Sequence, residues 1–142
     1  MTEYLTVNRE LADKAMNRID HALGRPLDPL AETYREYYAT DTDSEQAAEF
    51  RASPHWDEGR GVPGGLTYFH PTVAGRQALA AYLKKIGDPN KAFVVRWNGF
   101  ESRVVAPTHS KARYKKWLEA SDAYQTLTFK EFCKTATVRR AA

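Results

Sequence analysis

Few residues of this chain are spaced for catalysis. The four histidines, His21, His55, His70 and His109, lack the spacing of metal ligands, and no C-x-x-C, H-E-x-x-H or nucleophile elbow occurs. A constellation split along the chain, such as His55, Asp57 and His70, would have to be assembled by folding. Asp41, Asp43 and Glu45 match the opening of a calcium loop. Its sixth position is Gln46, where the turn needs glycine, and its twelfth is Ala52, where a bidentate glutamate is needed, so calcium is rejected. Gly59, Gly61 and Gly64 spell G-x-G-x-x-G, but a dinucleotide fingerprint follows a strand and opens a helix. Here Pro63 interrupts it and a strand pattern comes next. These residues predict no enzyme, no cofactor and no metal.

What remains is charge. Residues 1–81 carry 8 Lys and Arg against 13 Asp and Glu, whereas residues 82–142 carry 13 against 5. The basic candidates are Arg103, Lys111, Arg113, Lys115, Lys116, Arg139 and Arg140, which lie near aromatics. Such a set neutralises phosphates or meets an acidic protein surface. The alternative is an acidic half packed against a basic half. The single Cys133 excludes an internal disulfide and falls at an apolar helical position, so a reducing cytoplasm and an inert thiol are expected. The opening MTEYLTVNRE lacks an apolar run, and no stretch reads as a membrane span.

The elements that must position these charges centre on Lys91 to Ala106. Two apolar-rich runs flank Asn98 and Gly99, a pair suited to a type I′ turn because both residues need positive φ. The turn sets Trp97 opposite Phe100, Val95 opposite Ser102 and Phe93 opposite Val104 on a core face. Arg96 then meets Glu101, and Val94 meets Arg103, on a polar face. Thr108 or Ser110 caps a helix to about Ser121, with Tyr114, Trp117, Leu118 and Ser121 inward. Pro107 joins hairpin to helix so closely that Arg103 and the helix cations are expected on one side. Thr128 and Glu131 fit a capping box for a last helix, and Thr137 to Arg140 is expected to return as a third strand.

Upstream, apolar spacing predicts a helix from Asn8 to Leu23, stopped by Gly24 and Pro26, with His21 as a cation in its last turn. Tyr34, Tyr37 and Tyr38 sit at helical spacing. Asp43 or Ser44 caps a short helix to about Arg51. Pro54 to Gly65 reads as a loop, whose Trp56 either joins a contact patch or folds onto the core. Leu66 to His70 is a strand, and Thr72 caps a helix to about Ile86 with Ala74, Ala78, Leu79, Tyr82, Leu83 and Ile86 buried.

The stretch LTYFHPTVAGRQALAAYL, residues 66–83, resembles the strand-then-helix segment that closes many small winged-helix proteins. With HALGRP at residues 21–26, it is also similar to small bacteriophage accessory proteins. Together with the elements read above, the resemblance implies an α+β chain: a mainly helical, winged-helix-like half over residues 1–87, then a basic ββααβ module over residues 88–142. It implies a non-enzymatic inhibitor of a host protein or ribonucleoprotein complex, as anti-CRISPR proteins are, acting in the host cytoplasm. A DNA- or RNA-binding regulator is the alternative, though no convincing recognition helix precedes the strand.

Overall fold

The computed structural model describes residues 4–141. The chain is α+β and divides into two compact units, Met1–Asp88 and Pro89–Ala142.

The first unit runs α1 (Lys14–Ala22), β1 (Tyr38–Asp41), α2 (Glu45–Ala52), β2 (Trp56–Gly61), β3 (Leu66–Pro71) and α3 (Val73–Lys85). Its strands form an antiparallel sheet in the order β1-β3-β2. Ser44 and Thr72 cap α2 and α3 through their side chains, as the sequence predicts. Four expectations change. First, α1 starts at Lys14 behind an Asp13 cap. The residues before it do not coil: Arg9 reaches the buried Asp20, and Thr6 bridges to Pro26. Second, Tyr38 opens a strand, because its ring packs edge-on against Phe50 and Trp56. Packing of Tyr38 against the core, with Tyr34 and Tyr37 left exposed, overrides their helical spacing.

Third, the expected loop at Pro54 to Gly65 contains β2, and Trp56 is core, stacked on Phe50 at 4.2 Å between centroids. Glycine permits this strand: a Cβ at Gly59 would stand 2.9 Å from the Tyr68 carbonyl oxygen. Fourth, α3 buries Gly75, Leu79 and Leu83, while Ala74 and Ile86 are exposed. Gly75 lets the helix close on the His55 carbonyl, 2.5 Å from where its Cβ would be. Only α2 lies between β1 and β2, where a helix-turn-helix needs two helices. Leu11, Ile19, Leu23, Phe50, Trp56, Phe69, Leu79 and Leu83 form the core.

The second unit runs β4 (Lys91–Trp97), β5 (Phe100–Ala106), α4 (His109–Ala123), α5 (Phe129–Thr135) and β6 (Thr137–Arg140). The hairpin pairs Trp97 with Phe100, Val95 with Ser102, Phe93 with Val104 and Arg96 with Glu101, in the predicted register. Asn98 and Gly99 take φ of 52° and 80°, as its turn requires. The strand β6 returns beside β4, giving the order β5-β4-β6. Thr108 and Thr128 cap α4 and α5.

Phe93, Val95, Val104, Ala112, Ala120 and Phe132 make the core of this unit. Burying each large apolar side chain contributes about 1.5–3 kcal/mol. Two expectations change. Phe100 is 77% exposed, at the turn end of the sheet. In α4 the inward residues are Ala112 and Ala120, with Trp117 half-buried, while Tyr114 and Leu118 are exposed. Small alanines bring the helix close to the sheet. Trp117 instead packs sideways on Tyr114 and Phe129 and donates its indole N–H to the Leu127 carbonyl at 3.1 Å.

Candidate functional site

Directly paired residues of an antiparallel sheet point to the same side. In the second unit Phe93 and Val104 form one such pair and face α4 and α5. The alternate pairs therefore face away. Val94 pairs with Arg103 on one side and Arg139 on the other, so the three form a row across the sheet. Arg96 pairs with Glu101 and Thr137 in the adjacent row. The face opposite the helices thus carries Arg96, Arg103 and Arg139 against one carboxylate. Arg139 Nη2 lies 3.6 Å from Glu101 Oε1, with both side chains at least half exposed. Such an exposed pair contributes roughly 0–1 kcal/mol, so it leaves the face basic and its arginines available. Val94, between the two arginines, is itself buried at 9% exposure.

The other candidate cations lie elsewhere. Lys111, Arg113, Lys115 and Lys116 belong to α4, which covers the Val104 face, so Arg103 and these residues do not share a side. The reason is alternation: residue 104 faces the helix, so residue 103 faces away. Lys115 Nζ donates to the Val105 carbonyl at 3.0 Å, and Lys116 Nζ pairs with Glu119 at 3.3 Å. The Arg113 Nε is buried without a partner among the described residues. Arg140 pairs with Phe93 and so belongs to the helix-covered side, at the sheet edge. Arg96, absent from the sequence-derived set, joins Arg103 and Arg139. Its pairing with Glu101 was the signal that places it there.

At the hairpin tip a groove of about 400 Å³ is lined by Trp97, Phe100, Ser102, Lys116, Glu119 and Tyr124, among others. The Ser102 hydroxyl is buried and unpaired among the described residues.

The histidines do not converge. Asp57 and His70 pair across β2 and β3, yet no hydrogen bond joins their side chains to each other or to His55 among the described residues. His70 Nδ1 instead lies 3.0 Å from the Glu36 carbonyl oxygen. His109 packs edge-on against Phe93. His21 occupies the last turn of α1, as expected, but not as a favoured cation: burial, then Arg35 and Arg25, hold its pKa below 6.5 against the opposing pull of Asp20. Among the described residues no group of three or more His, Cys, Asp or Glu side chains could hold a metal ion, and no helix is long and apolar enough to cross a membrane.

Comparison of the chain with protein-family models, curated proteins and solved structures finds no match.

Proposed function

We propose that this chain is a non-enzymatic binding protein of bacteriophage type that docks on a host nucleic-acid-handling or defence complex and inhibits it, in the manner of an anti-CRISPR protein. The observation that carries this reading is the arginine face of the second unit, with Arg96, Arg103 and Arg139 on one side of a three-stranded sheet. A basic face built on paired strands sets the spacing of its arginines through the strand register. It attracts a polyanionic partner over a distance and fixes the register of contact. The phage resemblance of the first unit supplies the setting. In the experiment, the full chain is immobilised, host complexes are captured with and without nuclease, and the captured complex is assayed. Expected is capture of a nucleic-acid-handling assembly whose activity falls as the chain is added. Capture without any loss of activity would contradict inhibition.

A second reading is a nucleic-acid-binding regulator. The same arginine face favours it, because phosphate neutralisation needs no recognition helix. Contact would then be made by a sheet face, and it would be largely indifferent to base sequence.

A further inference from the structure

The first unit contains a cavity of about 240 Å³ behind the end of α1, lined by Thr6, Asn8, His21, Arg25, Tyr34 and Arg35 among others, and by no carboxylate. We propose that this cavity binds a phosphate group carried by a nucleotide or by the end of a nucleic-acid strand.

Arg25 makes both of its side-chain contacts, to Asn17 and Asp20, through Nη1. Its Nη2 and Nε have no partner among the described residues. Arg35 donates from Nε to the Tyr37 carbonyl at 3.4 Å and lies over the Tyr37 ring, which leaves both terminal nitrogens. Forked donors of two guanidinium groups suit the several oxygens of a phosphate. The nearby acid is neutralised: both Asp20 oxygens accept from Arg9, and Oδ2 also accepts from Arg25.

A helix C-terminus ordinarily repels an anion. Here its last carbonyls are occupied, those of Ile19, Asp20, His21 and Ala22 accepting from the N–H groups of Leu23, Arg25, Gly24 and Tyr37. The turn that aims Arg25 is itself specialised. Gly24 and Arg25 both have positive φ, 79° and 54°, and a non-glycine residue persists there only where its surroundings enforce it. A Cβ at Gly24 would run into the Tyr34 ring, so glycine admits that ring as a wall. Tyr34 is 58% exposed and has the Tyr4 ring 6.1 Å away, which offers aromatic surface for a base beside the phosphate. The pKa of His21 is lowered first by burial and then by Arg35 and Arg25, with Asp20 opposing, so both arginines act on this ring.

The test follows the His21 Cε1–H resonance of the full chain by NMR during titration with inorganic phosphate and with adenosine monophosphate. A saturable shift is expected, with the pKa of His21 rising as the bound anion offsets Arg25 and Arg35. Arg35→Gln should weaken binding roughly ten- to a hundredfold, the loss of a hydrogen bond to a charged group, and Arg35→Lys should restore part of it. The resonances of His55, His70 and His109 should stay in place and report an intact fold. Oligonucleotides with a 5′-phosphate or a 5′-hydroxyl separate the two sources: discrimination between them identifies a strand end, and binding of the mononucleotide alone identifies a free nucleotide. No saturable shift, an equal shift in Arg35→Gln, or equal affinity for chloride would overturn the proposal. Because Arg103 and Arg139 lie in the other unit, Arg103→Gln with Arg139→Gln should leave this titration unchanged, so the outcome is independent of the arginine-face reading.

Discussion

Asp20 has no exposure to solvent, and Arg9, 11 residues before it, binds both of its oxygens, at 2.7 Å and 3.1 Å. Arg9 also reaches Asp88 at 3.1 Å and the Pro26 carbonyl at 2.9 Å, so one guanidinium ties both ends of the first unit to its core. Removing one partner of such a buried pair leaves an uncompensated charge. Arg9→Met should destabilise the protein by about 3 kcal/mol, measured by urea unfolding. A loss under about 1 kcal/mol would mean that Arg25 alone satisfies Asp20.

The two phenylalanines of the second unit should separate sharply. Phe132 is fully buried against Trp97, and Phe132→Ala should cost about 3–5 kcal/mol. Phe100 is 77% exposed, and Phe100→Ser should change stability by about 0.5 kcal/mol or less. Thermal melts of both variants decide it: comparable losses would place Phe100 in a core.

The folded-state pKa of His21 lies below its ordinary 6.5. As pH falls through about 6.5 the unfolded chain takes up a proton that the folded chain resists, so folding weakens until the folded pKa is passed. Urea midpoints compared at about pH 7.5 and about pH 5.5 should fall more in the wild type than in His21→Gln. A smaller fall in the wild type would reverse the sign of the shift.

The register of the hairpin was legible because three independent signals agree on it: the Asn98 and Gly99 turn, alternation from Phe93 to Trp97, and the Arg96–Glu101 pairing; the exposure of Phe100 was not, because it depends on what packs at the turn end of the sheet. Thr72 and Thr128 were legible as caps, and Ser44 and Thr108 as one of two candidates each, because capping is local chemistry. Asn8 fits the same rule, but α1 begins at Lys14 with Asp13 as its cap, and Arg9 is held instead by Asp20. The strand at Trp56 was hidden by its glycines, which mark loops in sequence but here allow close approach to Tyr68 and His70. In the candidate site, alternation along the hairpin places Arg103 on the face away from the Phe93–Val104 pair, and the register agrees. The separation of Arg103 from Lys111, Lys115 and Lys116 followed from the same alternation, once the helix covers the Val104 face. The aromatic groove beside Phe100 was not legible, because it depends on how Tyr124 meets Trp97 at the end of α4.

The salt dependence of binding tests the arginine face most directly. The wild-type chain, Arg103→Gln with Arg139→Gln, and the triple reversal of Lys111, Lys115 and Lys116 to Glu are titrated against the captured host complex and against bare duplex DNA and RNA over a salt series. Arg103 and Arg139 are exposed, so the arginine pair variant should fold with a change of roughly 0–1 kcal/mol per charge; the lysine reversal also removes the Lys115 bond to the Val105 carbonyl and the Lys116–Glu119 pair, so its fold is checked by thermal melt before titration. Expected is tight binding of the wild type to the complex, negligible binding to bare nucleic acid, and slower association with a shallower salt dependence in the arginine pair variant. The lysine reversal should matter less, because those residues lie on the opposite side of the sheet. Tight, steeply salt-dependent binding to bare duplex would favour the regulator over the inhibitor. Unchanged binding of the arginine pair variant would contradict the arginine face under either reading.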